Sequence, residues 1–241
     1  LEYRDIFSFV VAIRPSHLRS RKYLTDLSPE GPRLLLPFSL KKSTLLHALG
    51  VRLPAVQFGL KKAVTIHDVG VYDMPELYSH RWVQRRRRRI RQSVQRANAL
   101  LVPAAYTAGR IRELFPHFRG PIAVTPLGVD HERFSPKPDP RDESVLEDLG
   151  IRDPFLLQVG ALSPRKDPFT SLCGYAYSTF ARDYELLFVG TGKPEYVEKL
   201  QAEAKELKIK DRVRFLGFVP AEALPSLYRR CTIFIFPSRY E

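Results

Sequence analysis

Two adjacent cations, Arg165 and Lys166, lie in the loop 161–168, directly after one predicted strand and before a predicted helix. Arginine offers a planar fork of donors and lysine a compact charge, so the pair can neutralise a diphosphate without a metal ion above a helix N-terminus. A solvated loop accounts for the same two residues, because basic side chains are common in loops. The chemistry indicated is binding of an anionic group, with the solvated loop as the alternative.

Two further polar positions follow predicted strands. His67 and Asp68 close the apolar strand 62–66, where an imidazole can meet a ligand hydroxyl, although a lone histidine at a strand end is equally often structural. Glu241 follows the predicted strand 232–236, and its carboxylate could accept hydrogen bonds from sugar hydroxyls or support a developing cation. An isolated glutamate is more often simply solvated.

The elements that must position these residues alternate regularly in the second half of the chain. Predicted strands are 154–160, 184–190, 213–217 and 232–236, and predicted helices are 169–180, 195–207 and 221–230. Strands alternating with helices at this spacing are typical of a parallel, doubly wound sheet. Ligands bind such sheets beyond the carboxyl ends of the strands, so the loops after Gly160, Gly190, Gly217 and Phe236 are the expected binding region.

The first half predicts a second α/β set, with strands at 62–66, 99–102 and 121–125 and helices at 79–98 and 107–115. Ser135–Asp142 contains three prolines and no apolar side chain, which is typical of a linker or exposed turn. We therefore expect two domains, 1–150 and 151–241, with a boundary near residue 150.

Composition excludes several classes of protein. The 241 residues are 44% hydrophobic and 27% charged, which is incompatible with disorder throughout and ample for a core. Only two cysteines occur, Cys173 and Cys231, which we expect to be reduced and buried, so neither a disulfide-stapled fold nor a zinc site is indicated. No apolar run approaches the length of a membrane span, and we interpret the start at Leu1 as a cut end. The net charge of +13 favours anionic partners.

Five consecutive arginines, Arg85–Arg89, occur in the predicted helix 79–98, whose Val83, Ile90 and Val94 fall on one face. Most of the arginines should then point to solvent. An exposed basic helix face is one interpretation, and a contact with anionic lipid is the other. We expect no nucleic-acid partner, because neither a nucleic-acid-binding module nor an interleaved aromatic platform is present.

Five blocks of sequence, in order, resemble glycosyltransferase family 4. The blocks are Val64–Asp68 followed by Pro75-Glu76, Pro126–Asp130 followed by Phe134, Val159–Lys166, Leu216-Gly217, and Phe236–Glu241. The resemblance implies a GT-B-like fold, with two Rossmann-like domains of mostly parallel sheets facing a cleft. It also implies transfer of a sugar from a nucleotide-diphosphate donor with retention of anomeric configuration and without a bound metal.

The resemblance assigns roles to matching residues. Arg165 and Lys166 correspond to the basic pair that holds the donor diphosphate, His67 to a histidine that reaches the donor sugar, and Glu241 to the first carboxylate of a pair that contacts it. Asp68, Gly160 and Ser238 lie in the same blocks and are expected to bind substrate. The second carboxylate of the pair would fall eight positions beyond Glu241, and the glycine-rich loop typical of the family's first domain has no counterpart. We interpret the chain as a shortened transferase with an incomplete second domain.

The leading hypothesis is a retaining hexosyltransferase that uses a GDP- or UDP-linked sugar, mannose-type favoured, and a glycan or lipid-linked acceptor. It would lie in the cytoplasm, with the Arg85–Arg89 helix as a contact to the inner membrane face. The alternative is a non-catalytic, degenerate transferase that uses this helix to bind a membrane or a partner. Pocket shape rather than motif decides the sugar, the nucleotide base and the acceptor, so the sequence leaves these open.

Overall fold

The computed structural model describes residues 12–13, 33–34, 45–53, 60–152 and 154–241. The described residues fall into two compact units that divide between Leu127 and Gly128. Each unit is built around a parallel sheet, as the alternation of strands and helices predicts.

The first unit contains a four-stranded sheet. The elements of this unit begin with a separate pair of parallel strands, β1 (Ala12–Ile13) and β2 (Arg33–Leu34). They continue with β3 (Leu45–Ala48), β4 (Lys61–Thr65), α1 (Gly70–Asp73), α2 (His80–Arg96), β5 (Ala99–Val102), α3 (Ala105–Leu114) and β6 (Ile122–Val124). The order in the sheet is β3-β4-β5-β6, with every neighbouring pair parallel. Ala63 pairs with Ala99 and Leu100 with Ile122, which fixes the register.

The apolar residues of β4 and β5 explain why this sheet forms. Val64 and Leu100 are fully buried and belong to one hydrophobic cluster. Helix α2 adds Val83, Ile90 and Val94 to the same cluster, at spacings that place all three on one helix face. The predicted amphipathic helix is therefore confirmed.

The second unit contains the other four-stranded sheet. Its elements are α4 (Asp142–Asp148), β7 (Phe155–Val159), α5 (Pro168–Ala176), β8 (Glu185–Val189), α6 (Pro194–Glu206), β9 (Val213–Gly217), α7 (Leu224–Arg230) and β10 (Ile233–Phe234). The order is β10-β7-β8-β9, again parallel throughout. The carboxyl ends of β7, β8 and β9 thus share one edge of the sheet.

This sheet is covered on both faces, which is why its strands are almost continuously apolar. Alternate residues such as Leu156 and Phe188 pack with α5 and α6. Their neighbours Phe155 and Leu187 point the other way and pack with α4 and α7. The α/β class with parallel sheets in two units is confirmed.

Three details differ from expectation. Residues 128–150 group with the second unit rather than the first. Asp142 is the anchor: the residue is 5% exposed, its two carboxylate oxygens share the single Arg229 Nε–H, and Oδ1 also accepts from Arg229 Nη2 at 2.6 Å. The proline-rich segment is thereby held against α7. Cys173 and Cys231 are free, as expected, but half-buried rather than buried. Strand β3, at the edge of the first sheet, was not predicted.

Candidate functional site

Arg165 and Lys166 lie between β7 and α5, at the carboxyl edge of the second sheet, where the sequence placed them. Strand β7 is followed by Gly160, whose φ of 145° is one that residues other than glycine rarely adopt. Helix α5 begins after Asp167, which has φ 44° and accepts a hydrogen bond from the Thr170 N–H at 3.4 Å. Residues at both ends of the loop therefore fix its path.

The two cations converge on one carboxylate. Lys166 Nζ donates to Glu241 Oε1 at 2.5 Å, and Arg165 Nη1 donates to Glu241 Oε2 at 3.2 Å. Arg165 Nη1 also donates to the Tyr240 carbonyl at 2.9 Å. The structure thus brings together three of the four residues predicted to act directly on substrate.

The carboxylate of Glu241 is held in its charged form. Burial alone would raise its pKa, but the hydrogen bond from Lys166 and the charges of Lys166 and Arg165 hold the pKa below its usual value. The Glu241 side chain is 46% exposed. An ion pair that is this accessible to solvent contributes at most about 1 kcal/mol to stability. A ligand with more than one negative charge can therefore compete with Glu241 for the two cations.

Residues of the C-terminal segment complete the surroundings of Lys166. Its ammonium lies 4.5 Å from the centre of the Phe236 ring, a favourable cation–π contact. The Arg239 N–H donates to the Arg165 carbonyl at 2.9 Å, which ties this segment to the loop 161–168. The Lys166 side chain is only 14% exposed, so the ammonium is held in a defined place.

A buried glutamine that was not predicted as part of the site supports the same loop. Gln158 is 4% exposed in the middle of β7, and its Nε2 donates to the Lys166 carbonyl at 2.9 Å. Its Oε1 accepts from Ser171 Oγ at 2.6 Å. The signal was available, because a polar residue interrupts the otherwise apolar strand Phe-Leu-Leu-Gln-Val.

The glycines at the strand ends allow neighbouring loops to approach closely. A Cβ atom on Gly190 would lie 2.0 Å from the Gly160 carbonyl oxygen. A Cβ atom on Gly160 would be in ordinary contact with the Lys166 stem, at 3.6 Å from Cε. Gly160 therefore lies against the Lys166 side chain. Its role in substrate binding stays a prediction.

Ser238 lies in the same segment as Glu241. Its Oγ is shielded from solvent and is close enough to the Glu241 carboxylate to help lower the pKa of Glu241. The geometry between the hydroxyl and the carboxylate is nevertheless outside the limits of a hydrogen bond. No described atom is within hydrogen-bonding geometry of this hydroxyl. Its predicted role in substrate binding stays a prediction.

His67 and Asp68 belong to the first unit, just after β4. The exposed His67 has its Nε2 3.1 Å from the Leu49 carbonyl, and because a carbonyl only accepts, Nε2 carries a proton and Nδ1 is the acceptor of the neutral ring. Asp68 Oδ1 accepts from the Gly70 N–H at 3.0 Å at the start of α1, and Asp68 Oδ2 lies 4.0 Å from Arg86 Nη2. Asp68 thus has a local structural role in addition to any ligand contact.

The arginine run Arg85–Arg89 divides into two sets. Arg85 and Arg88 are exposed, as expected, whereas Arg86, Arg87 and Arg89 are half-buried. Arg87 Nε donates to the Val71 carbonyl at 2.8 Å, and Arg86 lies over the Trp82 ring at 5.8 Å. The expectation that most of the run points to solvent is therefore only partly right, because Arg87, through Val71, and Arg86, through Asp68, connect α2 to the residues that follow β4.

The described residues contain no group of three or more His, Cys, Asp or Glu side chains arranged to hold a metal ion. Across the same part of the chain, no helix combines the length and apolar character needed to cross a membrane.

Residues 144–241 match the family model for Glycosyl transferases group 1. The O-antigen chain mannosyltransferase B of Escherichia coli is 24% identical over 185 residues, which cover 76% of this chain and 48% of that protein. A GDP-mannose-dependent alpha-(1-6)-phosphatidylinositol monomannoside mannosyltransferase of Mycolicibacterium smegmatis is 33% identical over 150 residues, which cover 59% of this chain and 37% of that protein. The chain thus matches less than half the length of either relative.

Solved structures show the same fold. Sucrose-phosphate synthase from Thermosynechococcus elongatus superposes with a TM-score of 0.64 at 20% identity, covering 82% of this chain and 51% of that one. Anabaena HepE in complex with UDP-glucose superposes with a TM-score of 0.62 at 20% identity, covering 89% and 58%. The GT-B-like fold class is confirmed, and the match to the glycosyl transferases group 1 model lies within the second unit.

Proposed function

We propose that this chain is part of a retaining glycosyltransferase in which Arg165 and Lys166 bind the diphosphate of a nucleotide-sugar donor. The observation that carries the proposal is the convergence of Lys166 Nζ and Arg165 Nη1 on one carboxylate, at 2.5 and 3.2 Å. Two cations that can share one anionic group at the carboxyl edge of a parallel sheet are suited to a diphosphate.

The same two cations would accelerate sugar transfer. When the bond between the sugar and the diphosphate breaks, the departing diphosphate gains negative charge. Fixed cations then interact more strongly with the transition state than with the bound donor, which lowers the barrier. Gln158 and Phe236 hold Lys166 in place, so little reorganisation is needed at that moment.

We assign Glu241 and His67 to the sugar. Once a diphosphate takes the cations, the Glu241 carboxylate is released to accept hydrogen bonds from sugar hydroxyls or to support positive charge at the anomeric carbon. His67 is exposed, and its Nδ1 is the acceptor that remains when Nε2 donates to Leu49. Asp68, Gly160 and Ser238 are proposed as further substrate contacts.

The similar proteins supply the substrate classes. The Mycolicibacterium relative is named as a GDP-mannose-dependent phosphatidylinositol monomannoside mannosyltransferase and the Escherichia coli relative as an O-antigen chain mannosyltransferase. The Anabaena structure contains UDP-glucose. For this chain we propose a GDP- or UDP-linked hexose, mannose-type favoured, and a glycan or lipid-linked acceptor. Retention of anomeric configuration, independence of a metal and a cytoplasmic location belong to the same proposal.

Thermal unfolding in the presence of GDP or UDP tests the donor site. A ligand at about 100 times its Kd stabilises the folded state by about 2.7 kcal/mol, which raises Tm by several degrees in a protein of this size. We expect that rise for the unaltered chain, with and without EDTA, and its loss in Arg165→Ala/Lys166→Ala.

The matched control is Lys199→Ala/Lys205→Ala, which removes the same charge from exposed positions of α6 in the second unit. It should keep the full rise in Tm. A rise of equal size in the Arg165→Ala/Lys166→Ala variant, or none at millimolar nucleotide in the unaltered chain, would count against a diphosphate site.

A further inference from the structure

One face of α2 carries four exposed arginines, which we call the arginine stripe: Arg81, Arg85, Arg88 and Arg91. Spacings of four, three and three residues place them along successive turns of one helix face, opposite the buried Val83, Ile90 and Val94. From Arg81 to Arg91 the helix rises about 15 Å, so the four charges form a band along about three turns of the helix.

Among the described residues, the stripe has no compensating acidic partner. Helix α2 contains no aspartate or glutamate, and none of the four arginines forms an ion pair with a residue in the described part of the chain. Like charges three or four residues apart repel each other on a helix. The arginines lower the stability of the isolated helix rather than raise it.

The position of the stripe along α2 adds to this cost. Arg81 lies in the first turn, where the helix dipole is positive and acidic residues are favoured, yet the first turn has none. The cap residue Ser79 makes no side-chain hydrogen bond that would offset the effect. Within the described part of the chain, the four arginines make no contact that stabilises the fold through their charge, in contrast to Arg86 and Arg87, which contact Trp82 and the Val71 carbonyl.

An aromatic pair borders the stripe and selects among anionic partners. Trp82 is 42% exposed and stacks on Tyr78 with ring centroids 4.7 Å apart. Trp and Tyr are the residues favoured at the boundary between lipid headgroups and acyl chains, and basic helices with such aromatics lie flat on anionic bilayers. A band of charges along one exposed helix face fits a planar surface, whereas single-stranded nucleic acid needs a groove lined by several stacking rings.

We propose that the arginine stripe and Trp82 form a docking surface for a bilayer rich in anionic phospholipid. The arginines contact lipid phosphates, and the Trp82 ring enters the headgroup region at the edge of the helix. Attachment needs no nucleotide, so this surface is independent of the donor site formed by Arg165 and Lys166.

Trp82 is the chain's single tryptophan, so its fluorescence reports on the surface directly. Vesicles of phosphatidylglycerol and phosphatidylcholine should shift its emission to shorter wavelength and protect it from acrylamide, and pure phosphatidylcholine should do neither. In co-sedimentation, binding should weaken strongly between 50 and 500 mM NaCl, since such attachment is screened by salt.

The variant Arg81→Gln/Arg85→Gln/Arg88→Gln/Arg91→Gln should lower vesicle affinity by about a hundredfold or more, because each arginine near an anionic surface contributes about fivefold. Glutamine is a good helix former, so α2 is expected to remain folded, which circular dichroism checks. The control removes four exposed lysines of the second unit instead: Lys193, Lys199, Lys205 and Lys210. It should bind nearly as well as the unaltered chain.

Several outcomes would overturn the proposal. An equal loss of vesicle affinity in the two quadruple variants would show that net charge, rather than the arginine stripe, explains the binding. Unchanged Trp82 emission with anionic vesicles would overturn it without any variant, whatever the folding of the quadruple variant. Binding of random-sequence DNA through the same arginines, with no vesicle binding, would assign the stripe to nucleic acid instead. Failure of nucleotide to raise Tm would leave this surface unaffected.

Discussion

Lys166 Nζ and Glu241 Oε1 lie 2.5 Å apart although 75 positions separate the two residues in the chain. The carboxylate that the resemblance assigns to the sugar thus occupies the place where the diphosphate of the donor would carry its charge. Glu241 acts as an internal counter-ion of the proposed donor site. Donor binding then includes the exchange of one anion for another.

This exchange predicts the effect of Glu241→Gln on nucleotide binding. Without the counter-ion, GDP or UDP no longer competes with a carboxylate, so the Kd for the nucleoside diphosphate should fall by up to about fivefold, the equivalent of an exposed ion pair of about 1 kcal/mol. Isothermal titration with the nucleoside diphosphate, which lacks the sugar, measures the effect apart from any loss of sugar contacts.

Glu198→Gln is the matched control, because it removes an exposed carboxylate from α6 in the same unit. Its Kd should stay close to that of the unaltered chain. If Glu241→Gln binds GDP and UDP no more tightly than Glu198→Gln, the carboxylate does not compete for the cations.

The ion pair between Asp142 and Arg229 predicts how stability depends on pH. The hydrogen bond from Arg229 lowers the pKa of Asp142 to about 2, against 3.8 for an ordinary aspartate. A lowered pKa contributes stability above the unfolded-state value and loses it as pH falls through the folded-state value, here between about pH 5 and pH 2. We expect about 1–2 kcal/mol to be lost in that window, measured by urea unfolding at a series of pH values.

Asp142→Asn should remove this part of the pH dependence and destabilise the second unit at pH 7. It removes the nearer charged partner of Arg229, whose side chain is 11% exposed, and leaves only the Asp139 carboxylate, 3.9 Å away. We expect a loss of about 1–2 kcal/mol at pH 7, the same as for protonation of Asp142. Asp148→Asn, which lies at the end of the same helix without such a partner among the described ion pairs, is the comparison. Similar pH profiles for Asp142→Asn and the unaltered chain would disprove the assignment.

The sequence predicted the interior of both sheets because their strands are apolar runs that end in Gly or in polar residues. Strand β3 escaped prediction because Leu45–Ala48 is only half-buried at a sheet edge, and its structure depends on pairing with β4. The boundary near residue 150 differs from the observed division because Asp142 and Arg229 are far apart in the chain, and only the fold brings them into contact.

The residues of the candidate site were predicted from the sequence, but the contacts between them were not. Arg165, Lys166 and Glu241 each follow a strand, so the shared edge of a parallel sheet brings them near one another. Their mutual ion pairs, and the division of the arginine run into anchoring and exposed residues, depend on side-chain packing that periodicity does not encode. The polar Gln158 inside β7 was the one unused signal.

The close approach of the loops after β7 and β8 predicts a strong effect of Gly190→Ala. The added Cβ would lie 2.0 Å from the Gly160 carbonyl oxygen, and the φ of Gly190 is 133°, which alanine rarely adopts. One loop must move, so we expect a loss of more than about 2 kcal/mol in stability and weaker nucleotide binding. Gly174→Ala, at an exposed position of α5 with nothing within 4 Å, should instead stabilise the chain by about 0.5–1 kcal/mol. Equal unfolding free energies for the two variants would show that the loops tolerate the methyl group.

Gln158 should act as a positioning residue for Lys166. Gln158→Met keeps the volume but leaves the Lys166 carbonyl and Ser171 Oγ without their partner, which costs about 1–3 kcal/mol for each buried group. Because the Lys166 carbonyl loses its partner, Gln158→Met should also lower the affinity for nucleotide. Adding Ser171→Ala removes the unpaired hydroxyl, so the double variant should regain part of the lost stability. Its nucleotide affinity should stay low, because the Lys166 carbonyl is still unpaired. A double-mutant cycle on unfolding free energy, run beside titrations with GDP and UDP, separates the two effects. If affinity recovers together with stability, Gln158 contributes only to the core, and the place of Lys166 is set by Glu241 and Phe236 instead.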